Sequence, residues 1–589
     1  MVVRTLTASA ALFGVGMWLF VQSAGAWSQD AKTGRTPDAA VVYKIVQQGV
    51  ADPVWRVTIT GKGFAGAAKP VRLHLENWGE WQDEDGYYLR GLTAKPAIKR
   101  EPGKIGDFVL DVPAEWDGAF EVSYTIPLAR VGSAIHSRHG LLPCWNEHAA
   151  CAFSVNTLMY VDAGSRAVRR TAHIVPPEGS SVASGWGGVT AGEQRAPILG
   201  STNEMDNSPI LIGKPIRRHV EKQGEVLYEA AQFGAGPDRS TEALQVAKSV
   251  MPLYERHSGY SSGQPVRMYF FEGTPGATNT RSAFVASYKP AVTSLTSSSK
   301  HVIAHELFHR WLGSDFVPAD EAIAWFHEGF TDYLSLWHCS ASGVLDRGYF
   351  ASRLAAIDAE ARRSPAYGKV AFAQDGVAWR AGANEQYSYR GGAVLAFLID
   401  VELRKRGRPG VMQLIADLGT RKGSVRVRLA DVRDWMQRQG LGEMYKVCIE
   451  GKELPPLENS LAAVGFTPKE VPVKLTYFGI RTEKGRIVEI DPDGPAMKAG
   501  FRVDDRIIGR YPGGRSERVR IGVNVTTKYR YGLELVEPGV EGTYLDVVRG
   551  RDELTIRVQP RLIEGGLACR YEADEAKLTE FFAFRLGKL

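Results

Sequence analysis

Two histidines four residues apart, His305 and His309, constrain the fold of this chain more than any other feature. They open and close the run HELFH, which follows three serines and precedes a glycine. Residues four apart share one face of a helix, so both imidazoles can bind one metal ion. Glu306, next to the first histidine, can then reach a water molecule on that ion. The pattern predicts a helix over Lys300–Leu312 that carries half of a metal site.

A third ligand candidate is Glu328, which follows His309 with 18 residues between them. It lies in a second helical pattern, predicted over Asp320–Trp337. Two histidines and one glutamate are a known ligand set of catalytic zinc, which keeps a fourth position open. Asp332, four residues after Glu328, shares its helical face and can accept the spare N–H of a ligand histidine. We therefore predict one zinc ion per chain.

The predicted chemistry is hydrolysis by a metal-activated water. Zinc lowers the pKa of a bound water to about 7, which provides a nucleophile at neutral pH. Glu306 is the candidate general base, because it can take the proton of that water and pass it to the leaving amine. The substrates expected for such a site are peptides or proteins.

Other histidines near the motif are weaker candidates. His301 is on the first predicted helix, and we expect it to face solvent or to lie in the outer shell of the site. His327 precedes Glu328 and should point elsewhere on the helix, while His338 lies near the end of that helix. We expect both to be packed or surface residues.

Length and composition indicate an ordinary globular protein of several domains. The chain has 589 residues, too many for one hydrophobic core, so we expect three or four domains. Its 44% apolar and 23% charged residues argue against disorder and against a membrane protein with many spans. The net charge of +6 is not gathered into a basic run, so we expect no nucleic-acid partner.

Residues 1–26 have the layout of a secretory signal peptide. Arg4 precedes an apolar run, and Ala24-Gly25-Ala26 supplies small residues for cleavage. The alternative is an uncleaved membrane anchor, although the apolar run is short for a span. We expect export to a periplasm or to the outside of the cell, with no membrane span once the signal is removed.

The cysteines do not form a metal site of their own. Cys144 and Cys151 lie in a loop-like stretch and can close a small disulfide in an oxidising compartment. Cys339, Cys448 and Cys569 stand alone, without a CxxC pair, and are expected to be buried inert thiols.

Hydrophobic periodicity divides the rest of the chain. Residues 27–40 are a polar linker, 41–175 show the period-two pattern of an all-β domain, and Glu178–Thr202 is predicted as a loop or linker. Residues 205–465 are mostly helical, with further helices predicted at Gly392–Arg406 and Leu429–Gln439. Short strands return at 470–562. An extension over 563–589 contains a predicted helix, Glu572–Phe584.

The two metal motifs resemble those of the gluzincin metallopeptidases. They read HELFHRW from His305 and WFHEGFTDY from Trp325. The TDY ending and the PDZ-like segment described below are similar to the glycyl-aminopeptidase family (metallopeptidase family sixty-one). The resemblance covers roughly residues 40–562 in domain order. It implies a multidomain α+β protein with an N-terminal all-β domain, a thermolysin-like catalytic domain whose C-terminal half is helical, and a C-terminal PDZ-like domain.

The resemblance also implies a tyrosine that stabilises the tetrahedral intermediate. In such families it precedes a glycine-led apolar helix, and the matching stretch here is YSYRGGAV from Tyr387. Tyr389 fits the role best and Tyr387 is the second choice. A packed aromatic without a catalytic role is the alternative for either.

One segment departs from the family pattern. Members usually carry a glycine-rich strand with a glutamate that binds the free amino group of the substrate. Here Thr278 or Asn279 stands in that place, and neither supplies a countercharge to an ammonium group. Gly276, Asn279 and Arg281 remain candidate substrate-binding residues, since the strand can still pair with a peptide backbone. Aminopeptidase and endopeptidase action both stay open.

The segment after Pro472 resembles a bacterial PDZ domain. Tyr477, Phe478, Gly479 and Ile480 would form the loop whose backbone N–H groups bind the carboxylate of a C-terminal peptide. Peptide docking or regulation is the functional interpretation, and packing against the protease is the alternative. A different function class also stays open: a PDZ-bearing binding protein on an inactive peptidase scaffold. The intact set of three ligands and a general base favours the enzyme. A zinc hydrolase acting on a non-peptide substrate is a third possibility.

Overall fold

A computed structural model describes most of the chain from residue 39 to residue 583. Residues outside the description are 1–38, 50–53, 67–69, 76–88, 102–105, 132–142, 163–167, 199–207, 216, 235, 260–263, 273–275, 281–282, 289–294, 314–315, 320–322, 375–384, 420–424, 484–485, 513–532, 536–542, 551, 560 and 584–589. The predicted signal peptide and most of the predicted linker therefore lie outside the described residues.

The N-terminal part is built from strands, in agreement with the period-two pattern. Its strands are β1 (Ala39–Gln47), β2 (Val54–Lys62), β3 (Arg72–His74), β4 (Arg90–Lys95), β5 (Ile98–Arg100), β6 (Asp107–Leu110), β7 (Phe120–Pro127), β8 (Ala129–Arg130), β9 (Cys144–Trp145), β10 (Ala149–Phe153), β11 (Tyr160–Asp162), β12 (Val168–Val175), β13 (Ser181–Ser184), β14 (Gly188–Ala191), β15 (Gln194–Pro197) and β16 (Pro209–Gly213). A short 3₁₀ turn, Ser154–Asn156, follows β10.

These strands form three sheets among the described residues. Their orders are β15-β12-β1-β2-β7-β4, β14-β13-β16-β10-β9-β8 and β11-β3-β6-β5. Residues alternate between buried and exposed along β1, β2 and β7, because successive side chains of a strand point to opposite faces. The inward residues make one apolar core that includes Tyr43, Trp55 and Tyr124.

The prediction of a loop or linker at Glu178–Thr202 is wrong. This stretch contains β13, β14 and β15, and β15 pairs with β12 while β13 pairs with β16. The sheets thus continue to Gly213, beyond the predicted limit at residue 175. The glycines that suggested a linker instead make tight turns: Gly188 and Gly192 have positive φ angles of 70° and 72°. At the other end, Ala39 and Ala40 of the predicted linker belong to β1.

The middle part begins with a mixed sheet. Its strands are β17 (Arg217–Gln223), β18 (Val226–Phe233), β19 (Val266–Glu272), β20 (Gly276–Asn279) and β21 (Phe284–Tyr288), in the order β17-β18-β19-β21-β20. The strands β18, β19 and β21 are parallel, and β20 is antiparallel to β21 at the edge. A two-stranded pair, β22 (Phe316–Pro318) with β23 (Val425–Val427), lies further along the chain.

Helices make up the rest of this part, as predicted. They are α1 (Arg239–Ser258), α2 (Ser297–Phe308), α3 (Phe330–Ala341), α4 (Arg347–Arg363), α5 (Glu385–Lys405), α6 (Met412–Gly419), α7 (Leu429–Arg438), α8 (Gly442–Met444) and α9 (Glu458–Ala463), with a 3₁₀ turn at Phe372–Gln374 and π-helical turns at Trp325–Gly329 and Tyr445–Glu450.

Several helix limits differ from the prediction for local reasons. The first metal helix ends at Phe308 instead of Leu312, and the chain then turns to Gly313, whose φ of 130° excludes a helix. The second predicted helix is divided into a π-helical turn and α3. The predicted helix from Gly392 begins at Glu385, so Tyr389 lies inside α5 and not before it.

The C-terminal part returns to strands. It contains β24 (Phe466–Tyr477), β25 (Ile480–Glu483), β26 (Arg486–Ile490), the short helix α10 (Pro495–Lys498), β27 (Arg506–Pro512), β28 (Leu533–Leu535), β29 (Thr543–Arg549), β30 (Asp552–Val558), β31 (Arg561–Ala573) and α11 (Glu575–Phe582). Five strands form the sheet β25-β26-β27-β29-β30, and β24 pairs along its length with β31.

The end of the described chain packs back on the helical part. The predicted helix Glu572–Phe584 is shorter, because Glu572 and Ala573 belong to β31. Leu578, Phe581 and Phe582 of α11 are buried in the core shared with α3, α4 and α5. None of the helices in the described ranges is long and apolar enough to cross a membrane.

Candidate metal centre

The helix α2 is fixed at its start by a polar cap and along its length by apolar packing. The side chain of Thr296 accepts a hydrogen bond from the backbone N–H of Ser299 at 3.0 Å, which satisfies one of the free donors of the first turn. Ile303, Leu307 and Phe308 are buried in the helical core. This anchoring leaves His305, near the end of α2, and His309, the residue that follows α2, facing the π-helical turn.

Three buried side chains from these two elements bring their donor atoms together. The Nε2 atoms of His305 and His309 are 3.1 Å apart. One carboxylate oxygen of Glu328, Oε2, lies 3.5 Å from Nε2 of His305 and 3.6 Å from Nε2 of His309. The predicted ligand set thus forms a compact group of potential metal ligands. A second such group in the described chain, Glu147 with His148 and Glu272, is partly exposed.

A backbone acceptor orients the ring of His309, and a carboxylate lies near the ring of His305. Nδ1 of His309 is 2.7 Å from the carbonyl oxygen of Leu312, so Nδ1–H donates there and the lone pair of Nε2 points inward. Nδ1 of His305 lies 3.7 Å from Oδ1 of Asp332. Asp332 is therefore where the sequence predicted it, beside the outer nitrogen of a ligand histidine.

Asp332 forms an ion pair with Arg390, which also pairs with Glu360. Nη1 of Arg390 is 3.0 Å from its Oδ2, and Nε of Arg390 is 2.8 Å from a carboxylate oxygen of Glu360. His301 is buried, with Nε2 2.9 Å from the carbonyl oxygen of Asp332. Of the two expectations for His301, the outer shell is correct and solvent exposure is wrong.

The carboxylates make the centre favourable for positive charge. Burial by itself raises the pKa of Glu328, but His327, His309 and His305 hold it well below its usual value. Burial also disfavours the charged form of His305, yet Asp332 and Glu328 outweigh it and raise the pKa of that ring to about 10. A cation is therefore stabilised between these groups.

The geometry of the donors fits zinc. Ligands at about 2.0–2.2 Å from a tetrahedral zinc are roughly 3.3 Å from one another, close to the spacings of 3.1, 3.5 and 3.6 Å found here. Oε2 of Glu328 is buried and has no hydrogen-bond partner among the described residues. A buried carboxylate oxygen without a donor is costly, and a bound cation would remove that cost.

His327 is part of the centre, contrary to the prediction that it points elsewhere. It is buried, its Nδ1 is 2.8 Å from Oε1 of Glu328, and its ring centroid is 4.8 Å from that of His309. The reason is the π-helical turn Trp325–Gly329, which is wider than an α-helical turn. His338 was expected to be either a packed or a surface residue, and it is buried.

A contact between two glycines brings α5 against this turn. A Cβ atom on Gly392 would lie 2.3 Å from the carbonyl oxygen of Trp325, and one on Gly329 would lie 2.4 Å from Gly392. Any larger residue at either position would push the two elements apart. The close approach places the start of α5, with Tyr389 and Arg390, beside the metal-ligand helices.

The structure distinguishes the two candidate tyrosines. The ring of Tyr389 is stacked near His305, with centroids 6.2 Å apart and planes inclined by 19°. Tyr387 is buried and stacked on Phe372 at 4.8 Å. Tyr387 is thus packed in the interior, whereas the ring of Tyr389 lies beside a predicted metal ligand, and the catalytic role of either stays a prediction. Glu306 is buried next to His305, close enough for its charge to raise the pKa of that ring.

The candidate substrate strand is β20. It is the edge strand of its sheet and pairs with β21 from Gly276, opposite Ser287, to Asn279, opposite Phe284. Its other edge has no partner strand among the described residues. Arg281 lies outside the described residues, so its role stays a prediction.

The residues predicted to bind a peptide carboxylate lie between β24 and β25. Tyr477, Phe478 and Ile480 are buried, and Gly479 has a φ of 75°. The carbonyl of Phe478 accepts from the N–H of Ala496 at 2.9 Å, which ties this loop to α10. Their function stays a prediction.

Four cysteines are buried: Cys144, Cys151, Cys339 and Cys448. The side chain of Cys569 lies outside the described residues, so its burial stays a prediction. Cys144 and Cys151 are opposite one another in β9 and β10 and stand as free thiols. Burial raises the pKa of Cys151 to about 12 and that of Cys448 to about 11. Burial also raises the pKa of Cys339. Cys339 and Cys448 are thus buried, as predicted, and their inertness stays a prediction. The disulfide stays a prediction.

Comparison with known proteins identifies the fold. No family model and no curated protein sequence matches the chain. The chain is similar in structure to an aminopeptidase N family protein from Idiomarina loihiensis, with 14% identity and a TM-score of 0.66, over 92% of this chain and 100% of that one. A variant of the M1 zinc metallopeptidase from Deinococcus radiodurans, bound to the substrate Tyr-Ser-Ala, matches with 15% identity and a TM-score of 0.49, over 71% and 95%.

The first of these similarities confirms the general architecture. The chain has a mixed α+β multidomain fold with an N-terminal β-rich part and a helical part that follows it, shared with the Idiomarina protein across its full length. At 14% identity the likeness is one of fold. The chemistry must therefore be argued from the centre itself.

Proposed function

We propose that this protein is a zinc-dependent peptidase. The observation that carries the proposal is the buried group of His305, His309 and Glu328, whose donor atoms have spacings suited to one zinc ion. The similarity in fold to an aminopeptidase N family protein supports it. When bound, zinc supplies a Lewis acid that makes water a nucleophile at neutral pH.

The side chains around the ligands perform the proton transfers. Glu306 is buried beside His305, so its carboxylate takes the proton of the attacking water and then gives it to the leaving amine. Burial of both groups keeps competing water away and strengthens their electrostatic effect. The phenol of Tyr389, next to His305, donates a hydrogen bond to the oxyanion that develops on the scissile carbonyl.

Replacement of Glu306 tests this assignment. We expect Glu306→Ala to retain zinc and to lose peptidase activity by several orders of magnitude, because zinc is held by other residues while the proton acceptor is missing. A mixed peptide library cut by both proteins, with products mapped by mass spectrometry, measures the loss. Glu402→Ala, which removes a carboxylate paired with Arg406 on the surface of α5, is the matched control. A Glu306→Ala protein as active as the wild type would sink the proposal.

The same library decides between exopeptidase and endopeptidase action. We propose that a peptide pairs with the edge of β20, where Gly276 and Asn279 lie. Positions 278 and 279 are Thr and Asn, which give no countercharge to an ammonium group. We therefore expect N-acetylated and free peptides to be cut at similar rates. Strict dependence on a free amino terminus would show that a carboxylate from another segment binds it.

The C-terminal sheet is proposed to dock peptides as a PDZ-like domain. Five strands and the short helix α10 support this, with the loop of Tyr477, Phe478, Gly479 and Ile480 as the carboxylate site. The test is binding of peptides with a free C-terminus against the same peptides amidated. Equal affinity for the two sets would contradict carboxylate recognition and favour a domain that only packs on the rest of the protein.

Export is proposed from the N-terminal segment alone. Arg4, the apolar run and the small residues at 24–26 support a cleaved signal. N-terminal sequencing of protein from the culture medium or periplasm measures it. A mature chain that still begins at Met1 in a membrane fraction would indicate an anchor instead.

A further inference from the structure

The carboxylate of Glu328 has two oxygens with different surroundings. Oε2 faces the Nε2 atoms of His305 and His309 at 3.5 and 3.6 Å. Oε1 is turned away from them, with Nδ1 of His327 at 2.8 Å. A carboxylate oxygen only accepts hydrogen bonds, so Nδ1 of His327 carries the hydrogen and donates it. The two oxygens thus have separate roles.

The backbone at this contact departs from a regular α-helix. In a regular α-helix, neighbouring residues point about 100° apart, so His327 and Glu328 would diverge. Both lie in the π-helical turn Trp325–Gly329, and both are buried at the centre. A π-helical turn inside a helix is a feature often found at functional sites.

Space for the ring of His327 is provided by a glycine. A Cβ atom on Gly313 would lie 2.7 Å from Nε2 of His327, and the φ of Gly313 is 130°. The ring is packed on its other side against His309, with centroids 4.8 Å apart. His327 is therefore confined to the position from which it reaches Glu328.

We propose that His327 is a positioning residue that holds Glu328 by Oε1, so that Oε2 alone is presented as a zinc ligand. Without the donor, the Glu328 side chain is free to rotate, and both its oxygens compete for the metal. Partners that orient a ligand typically contribute 10–100-fold to metal affinity. The proposal rests on the zinc site of the proposed function and assigns a role to a residue outside the ligand set.

Two amide substitutions separate this role from simple packing. The amide nitrogen of asparagine is bonded to Cγ, as Nδ1 of histidine is, whereas that of glutamine lies one bond further out. His327→Asn therefore keeps a donor at the place of Nδ1, and His327→Gln moves it. His327→Phe fills the space without any donor.

The experiment measures zinc dissociation constants by competition with a chromophoric chelator. We expect zinc to bind His327→Phe about 10–100-fold more weakly than the wild type, His327→Asn within about threefold, and His327→Gln close to His327→Phe. Saturating zinc should restore the kcat of His327→Phe with KM unchanged, because the residue acts through the ligand and not on the substrate. Unfolding midpoints of the metal-free proteins control for packing.

Different failures lead to different conclusions. A wild-type protein that takes up no zinc overturns both the proposed function and this inference. A wild type that binds zinc, with His327→Asn no tighter than His327→Gln, overturns the inference alone. Should His327→Phe fail to fold, the comparison of the two amides still decides the matter.

Discussion

The helical part contains two buried histidine clusters whose charge environments are opposite. At the metal centre, His305 and His309 face Glu328, and Asp332 lies behind His305. His338 of α3 follows Glu328 by ten residues, or about 15 Å at 1.5 Å per residue. Its ring contacts that of His257 of α1. Nδ1 of His257 is 2.7 Å from Nε2 of His338.

The second cluster is neutral by construction. Nδ1 of His338 donates to the carbonyl of Leu334 at 2.6 Å, so its Nε2 accepts the hydrogen of His257. Burial, together with the nearby charges of Arg256 and Arg404, lowers the pKa of His257 to about 2. Burial and the charge of Arg404 outweigh the hydrogen bond to Leu334 and lower the pKa of His338 to about 3. This pair therefore disfavours positive charge.

Carboxylates make the difference between the two clusters. Both consist of adjacent imidazoles in apolar surroundings, and burial disfavours the charged form in each. Only the first has Glu328 and Asp332, which reverse that effect. In this protein, therefore, the neighbouring carboxylates and not the closeness of two histidines distinguish the candidate metal centre.

The largest expected effect comes from removing the carboxylate ligand. We expect Glu328→Ala to weaken zinc binding by more than the roughly 100-fold upper range of outer-shell partners, since a ligand itself is lost. His338→Gln should leave zinc affinity within about twofold while lowering stability, because it breaks the neutral pair. Equilibrium dialysis with zinc and thermal unfolding of each variant check both. A much lower zinc affinity of His338→Gln would show that the two histidine clusters are not independent.

A smaller effect is expected at Asp332. Asp332→Asn keeps the shape of the side chain but removes the charge beside His305, so zinc should bind about 10–100-fold more weakly. Asp400→Asn is the matched control, because Asp400 is also a buried carboxylate paired with an arginine, Arg404, and bonded to Tyr333. We expect the control to lose stability with zinc affinity unchanged. Equal zinc affinities of the two variants would show that Asp332 has only a structural role.

The sequence predicts the centre better than its surroundings, for a physical reason. His309 follows from His305, and Asp332 from Glu328, by helical spacing, because i and i+4 residues share a face of a helix. Glu328 itself is found as a carboxylate in a second helical pattern that completes a known zinc ligand set. His327 was missed because the same rule assumes 3.6 residues per turn, and the turn Trp325–Gly329 does not obey it.

Contacts between distant segments are also hidden from sequence spacing. The pairing of Arg390 with Asp332 depends on the approach of Gly392 to the turn at Gly329. In the sequence, a glycine within each helical pattern indicates a close approach of helices. It does not indicate which two helices are in contact. Likewise, the short strands at 181–197 looked like a linker because strands of four residues carry too little periodicity.

The smallest expected effect is a pH dependence that belongs to the neutral pair. The pKa values of His257 and His338 are lower in the folded protein than the ordinary value of 6.5, so the unfolded chain takes up protons first as the pH falls. Stability from this pair is complete above about pH 6.5 and is lost as the pH falls. From pH 7 to pH 6 we expect a loss of about 0.7 kcal/mol per histidine. We would measure the free energy of unfolding of zinc-saturated wild type and of the double variant His257→Gln/His338→Gln at both pH values. Because the metal centre contributes equally to both proteins, the difference between them gives the pH dependence of the pair. Parallel pH curves would mean that the pair takes up protons equally in the folded and unfolded chain, and would contradict a neutral pair.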